Sequence, residues 1–552
     1  MKRFLIPLIL LSLTLTSVSA QERSDVDKIF SEFDRKDHPA VAALILRNGE
    51  VWYQKAFGSR NLEYTVPAQI DTKFQLAGMS KHFTAFAIFL LEEEGKLDLS
   101  DDIRAHLPWL PEYPETITID NLLSLTSGLP DIWSIKRIAG WDSDDVFTQK
   151  QAREIIKNLQ PVFKPGEDYI YSNTDQVLLA EIVTKVSGQS FSNYLDQNLF
   201  APLKMSNTLV VIDHEQSITN LAQSYEPDES GGFKPSVQNY GIQGPTNVYS
   251  TIEDLAKWEL NLKNPVVGSE EMIENLYTLC QTNDGNIMEP VYGRISYAQQ
   301  FEHRERGLLN MYQIGSLGGY ASSMFKFSEE AFTVIILSSG IPYNGYLGIQ
   351  SAYLLLEDRF TEPGSIDYSK LKSKKLKAVE MEKLTGIYWN DRSGYSRTIA
   401  LKNDTLRYVR GPGNESSLIP LSERVFQMIS LGDEKVMVSF EATNQGHQMA
   451  VTIGESAPLL ALRKPAYTHS TPEMEGFTGT FYCDILKIAF ELSIQDDALV
   501  ARNLKESITL KPIAPGLFEG DQWFFGSIQF DQGKNGFHLQ TEEVPKLWFR
   551  KI

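Results

Sequence analysis

The sequence predicts a large domain of the α/β (α+β) class followed by two small all-β domains of the barrel or sandwich type. Helix-like and strand-like runs are mixed as far as Phe360, and beyond it the chain repeats itself in short alternating segments. A chain of 552 residues is too long for one ordinary domain, and about two to four are expected. Hydrophobic residues at 42% and aromatic residues at 11% suffice for that many cores.

Met1 to Ala20 reads as a signal peptide, with Lys2 and Arg3, an apolar run from Phe4 to Leu15, and small residues Val18 and Ala20 before Gln21. No later apolar run approaches the ~18 residues of a membrane span. The mature chain is therefore expected to be exported and soluble, in the periplasm or outside the cell. From Ala40 two β-rich runs flank Asn48-Gly49, a strong hairpin signal. Phe83, Phe86, Ile88, Phe89, Leu90 and Leu91 make a nearly continuous apolar helix, stopped at Gly95 and expected to be buried on most sides. A second helix carries Val177, Leu178, Leu179, Ile182, Val183 and Val186 and ends at Gly188. Phe332 to Leu337 reads as a strand.

Pro363-Gly364-Ser365 and a run of lysines from Lys370 to Lys377 mark a linker. After it, Glu380-Met381-Glu382-Lys383-Leu384-Thr385-Gly386 returns as Glu473-Met474-Glu475-Gly476-Phe477-Thr478-Gly479. Asp404 and Leu406 return as Asp497 and Leu499, and Pro420 and Phe426 as Pro512 and Phe518. Arg463-Lys464 and Arg550-Lys551 end the two units, the mark of an internal repeat. The expected segments are a signal peptide over 1–20, the large domain over 21–362, a linker over 363–379, and β repeats over 380–466 and 471–552.

The formal charge is −19, or −21 without Lys2 and Arg3. That acidity argues against nucleic acid or an anionic membrane as a partner. Cys280 and Cys483, the two cysteines, are expected as buried free thiols. The eight histidines show no metal-ligand spacing, and no cofactor is expected.

Phe74-Gln75-Leu76-Ala77-Gly78-Met79-Ser80-Lys81 leads into the first helix, and Leu122-Leu123-Ser124-Leu125-Thr126-Ser127-Gly128-Leu129-Pro130 follows it. Tyr171-Ser172-Asn173 precedes the second helix. Ala201-Pro202-Leu203-Lys204-Met205, Tyr249-Ser250-Thr251 and Gln313-Ile314-Gly315 come later. In this order the segments resemble the motifs of the serine β-lactamase and penicillin-binding-protein family, including its class C β-lactamase-related hydrolases, over about residues 25–360. The resemblance implies a central antiparallel sheet flanked by helices, and lipocalin-like modules for the repeats. In the family a Ser-x-x-Lys serine is acylated, Lys and Tyr move its proton, Asn holds the substrate amide, and an inner strand reading Lys-Thr-Gly or His-x-Gly orients the substrate carboxylate. Lys81 and Tyr171 match the catalytic pair, and Asn173 and Gly315 match substrate-binding positions. Gly78 stands at the nucleophile and Gln313 at the Lys or His, where a neutral amide supplies neither charge nor a titrating proton. Leu125 replaces a family His, for which a structural role is expected.

Two of the three motifs thus lack their reactive member. Ser80 is not expected to substitute, because two positions turn about 200° around a helix, away from the cleft. The implied function is that of a degenerate serine-hydrolase homologue, a pseudoenzyme that still binds a small molecule, peptide, D-amino acid or cell-wall fragment. Three alternatives stay open. A water over Gly78, activated by Lys81 and Tyr171, could hydrolyse an amide, ester or D-peptide. The Lys81–Tyr171 pair could be kept only as a buried contact. The β repeats could carry the function by binding a protein partner.

Overall fold

Asn48 and Gly49 both take positive φ, 56° and 79°, as a two-residue hairpin turn of this hand requires. They join β1 (Val41–Arg47) to β2 (Glu50–Phe57). The structure, a computed structural model, describes residues 20–552 other than 143, 291–292, 342–343, 362–367, 412, 431–434, 445, 455 and 523. Residues 1–19 of the expected signal segment and the first part of the expected linker lie outside the described residues.

The hairpin is one edge of a seven-stranded antiparallel sheet. Its other strands are β3 (Arg294–Ile295), β4 (Phe301–Glu305), β5 (Leu308–Leu317), β6 (Tyr320–Phe327) and β7 (Phe332–Ser338), in the order β3-β4-β5-β6-β7-β1-β2. β1 and β7 lie inside the sheet and are apolar at successive positions, Val41 to Leu46 and Val334 to Leu337, because both their faces are covered. Their side chains alternate. Ala42, Leu44 and Leu46 join one core with the helices that carry the motifs, while Val41, Ala43 and Ile45 join a second core with Val26, Phe30 and Leu347.

On the first face lies α1 (Ser80–Glu93), buried from Ser80 to Leu91. Gly95 follows its end at φ 67°, a turn that favours glycine. α2 (Asn173–Ser187) starts at the Ser172 cap and ends at Gly188, in the left-handed region at φ 70°. The first domain is thus the expected antiparallel sheet flanked by helices.

Both repeats close into eight-stranded barrels, one from Gly386–Asn390 to Leu459–Lys464 and one from Gly479–Cys483 to Leu547–Lys551. Of the two all-β forms the sequence left open, closure leaves no free sheet edge. The repeated residues occupy equivalent places. Asn403-Asp404 and Asp496-Asp497 turn the matching hairpins with positive φ throughout, Pro420 pairs with Phe426, and Pro512 pairs with Phe518. The first barrel has its own core around Tyr388, Phe426 and Phe440. The core of the second is continuous with that of the first domain. Cys280 and Cys483 are buried free thiols, as expected. Among the described residues no helix is long and apolar enough to cross a membrane.

Candidate active site

The chain enters α1 through a tight turn, Ala77–Met79, in which Ala77 takes φ 46°, a region that costs a side-chain-bearing residue energy. Gly78 follows. Its φ lies outside the glycine-favouring range, and an added Cβ would stand 3.4 Å from Gly315 Cα and Ile314 O and 3.7 Å from Lys81 Nζ. The backbone here does not demand glycine, and a side chain placed at this position would point toward Lys81.

Lys81 is buried, and its Nζ donates to the Tyr171 hydroxyl at 2.7 Å. Tyr171 is half-buried and packs, with Tyr169, against Leu125, Cys280, Met288 and Ile295. Leu125 therefore serves a small apolar cluster beside the tyrosine, although it sits at φ 58°. Gly315 lies against the turn so closely that an added Cβ would meet Gly78 N at 2.5 Å, Leu76 O at 2.7 Å and Ser322 Oγ at 2.9 Å. Here glycine is what lets β5 pass the turn.

Ser80 faces elsewhere. Its buried hydroxyl donates to Thr246 O at 2.5 Å and accepts the Val248 N–H at 3.1 Å, which agrees with the helix-geometry argument. Asn173 starts α2 with its backbone N–H and Nδ2 both donating to Asp131 Oδ1, at 2.7 and 2.8 Å. Gln313 is buried, and its Nε2 donates to Gly78 O at 3.3 Å. Gln313 also lines a small internal space together with His82 and Glu259. The structure therefore brings Gly78, Lys81, Tyr171, Gly315 and Gln313 together, and ties the Asn173 amide to a buried carboxylate.

Residues 26–356 match the family model for Beta-lactamase. The chain belongs to the beta-lactamase family. Penicillin-binding protein 4* of Bacillus subtilis is 29% identical over 335 residues, covering 58% of this chain and 72% of that one. Protein flp of Staphylococcus aureus is 28% identical over 337 residues, covering 59% of this chain and 64% of flp, so less than two thirds of that relative is spanned. The solved octameric penicillin-binding protein homologue from Pyrococcus abyssi superposes with a TM-score of 0.55 at 24% identity, over 80% of this chain and 99% of that chain. A penicillin binding protein from Bacillus halodurans gives 0.51 at 22% identity, over 60% of this chain and 98% of its own. At those identities the likeness is one of fold.

In this beta-lactamase-family chain the site has two carboxylates that the motifs do not announce. Asp131 caps the helix Ile132–Ile138, its Oδ2 accepting the Ser134 N–H at 2.8 Å. Burial pushes the Asp131 carboxyl above its usual range, against its three hydrogen bonds and the charge of Lys81. The second is Glu543, in the loop between the last two strands of the second barrel. The Asp131 N–H donates to Glu543 O at 3.0 Å, and the Ser134 hydroxyl donates to the Glu543 carboxylate. Burial, and then the neighbouring charge of Asp131, push the Glu543 carboxyl up to about 7, with Lys81 opposing. Sequence reading missed Glu543 because it lies 409 residues beyond Ser134, in a barrel repeat without motif residues. Asp131, directly after Leu129-Pro130, stood next to a recognised segment.

For a metal, the described residues offer one group of carboxylates close enough together, Asp142, Asp144 and Asp145. Lys505 Nζ already lies 2.7 Å from Asp145 and 3.5 Å from Asp142. That group shares no residue with the Lys81 site.

Proposed function

We propose that this chain is a non-acylating member of the beta-lactamase family, an exported pseudoenzyme that binds a peptide or cell-wall-type ligand. The observation that carries the reading is Gly78. The position facing Lys81 has no side-chain oxygen to acylate, and covalent catalysis in this family needs one. The hydroxyl of Ser80 is held by Thr246 and Val248 and cannot reach across. The retained Lys81–Tyr171 hydrogen bond supports a kept pocket. Export rests on the signal-like segment Met1 to Ala20. The test is intact-mass spectrometry after incubation with benzylpenicillin and with a fluorophosphonate. No adduct is expected, and a stoichiometric adduct on Ser80 would overturn the reading.

A second reading is hydrolysis by a water held over Gly78. It is favoured by the distance of 3.7 Å between the missing Cβ position and Lys81 Nζ, which leaves the base beside the gap. Turnover of a p-nitrophenyl ester or a chromogenic cephalosporin by the wild type, lost in Lys81→Met, would establish it in place of the first.

A further inference from the structure

The first domain and both barrels meet around a cavity of about 520 Å³. Its walls come from the Asp168-Tyr169 segment, residues 286–290, the first-barrel turn 389–393, strand residues near Leu460, and Glu542 of the second barrel. The junction is tied from both sides. Arg392 Nη2 donates to Asp168 Oδ1 at 2.9 Å and to Tyr169 O at 3.1 Å. Gln540 Nε2 donates to Arg392 O at 3.2 Å and to Asp391 O. A cavity at a domain junction bridged by such hydrogen bonds is a common place for a ligand.

The lining has a definite chemistry. Among the described residues its single cation, Arg392, is paired with Asp168, while Glu289, Asp391 and Glu542 are exposed and form no ion pair. Ile287 and Leu460 are 43% and 48% exposed on the same walls, and both are large apolar side chains left in water. Three free carboxylates select a cationic ligand and repel nucleic acid and anionic lipid. The apolar pair selects a ligand that also carries a hydrophobic side chain, which a bare polyamine lacks.

We propose that this junction cavity binds a short basic peptide that also carries apolar side chains. Its ammonium or guanidinium groups lie against Glu289, Asp391 and Glu542, and its apolar side chains cover Ile287 and Leu460. The cavity adjoins the Lys81 site through the chain itself. Tyr169 lines it two residues before Tyr171, and Glu542 lines it one residue before Glu543. The assignment goes beyond the non-acylating reading and does not depend on it.

The experiment is fluorescence anisotropy of the full chain with labelled Lys-Leu-Lys-Leu-Lys, against Glu-Leu-Glu-Leu-Glu and Lys-Gly-Lys-Gly-Lys. The first peptide is expected to bind at least about tenfold more tightly than either control, and more weakly as salt rises. Charge reversal at two exposed positions, Glu289→Lys with Glu542→Lys, is expected to weaken it by about tenfold or more, and the uncharged Leu460→Ser to weaken it independently. Equal binding of the acidic peptide, or an affinity unchanged by the double reversal in a protein with a wild-type melt, would overturn the assignment. So would spermidine competing as well as the peptide, which would mark a general cation site. Mass spectrometry of the peptide afterwards separates the two readings. Cleavage would remove the pseudoenzyme reading and leave the binding site standing, whereas absence of binding would remove the binding site alone.

Discussion

Gly78 and Gly315 face each other across the turn, and their substitutions should differ sharply. Gly78→Ser places its Cβ at ordinary contact distances, so the fold should change by less than about 1 kcal/mol. Gly315→Ala drives a methyl into Gly78 N and Leu76 O, which are backbone atoms that cannot step aside. It should cost about 2–3 kcal/mol, read as a lower midpoint in urea unfolding. The chemistry of Gly78→Ser follows from what it restores and what it does not. It returns a hydroxyl beside Lys81 and Tyr171 but leaves Gln313 turned onto Gly78 O. Labelling by a fluorescent penicillin should therefore be weak in the single variant, and on the order of 10–100-fold faster with Gln313→His added. A well-folded double variant that remains unlabelled would mean that the site has decayed beyond these two residues. Motif order carried the expectation that Gly78 stands at the nucleophile position. The need for glycine at 315 was not legible in the same way, because it arises from two backbones in contact across a long stretch of sequence.

At the scale of elements, local signals were legible where local physics decides. The Asn48-Gly49 hairpin, the apolar helix after Lys81 and the repeated barrel turns each follow from φ preferences or periodicity within a few residues. The Glu543 loop does not, since its meaning depends on a partner in another domain. That loop should give the protein a pH signature. Glu543 titrates at about 7 when folded, against an ordinary 4.5. Between those values the folded chain holds more protons than the unfolded one, so this group's contribution to stability falls as pH rises through the window. The loss should amount to about 1–3 kcal/mol between pH 5 and pH 8, and Glu543→Gln should flatten it. Urea melts at the two pH values check this, and an equal slope in the variant would place the titration elsewhere. The Ser80 hydroxyl offers a contrasting control. Ser80→Ala strands the Val248 N–H and should cost about 1–3 kcal/mol while leaving penicillin reactivity unchanged.

For the whole molecule, the repeat predicted two small β units, and the structure gives them different relations to the first domain. The first barrel keeps its core to itself, whereas the second shares one with the beta-lactamase-family domain. Arg137, stacked 4.2 Å over the Phe524 ring, belongs to that junction. Differential scanning calorimetry should therefore resolve at least two transitions, with the second barrel melting together with the first domain and the first barrel separately. A single cooperative transition would contradict the division of the cores. The Asp131–Glu543 contact also imposes an order in time. A ribosome adding about 5–20 residues per second exposes Asp131 and Ser134 roughly 20–80 s before the glutamate that completes their surroundings. Once β7 has paired with β1, the nascent pocket lacks only the Glu543 wall, and a chaperone or a wandering peptide meets it in a form the finished protein does not present.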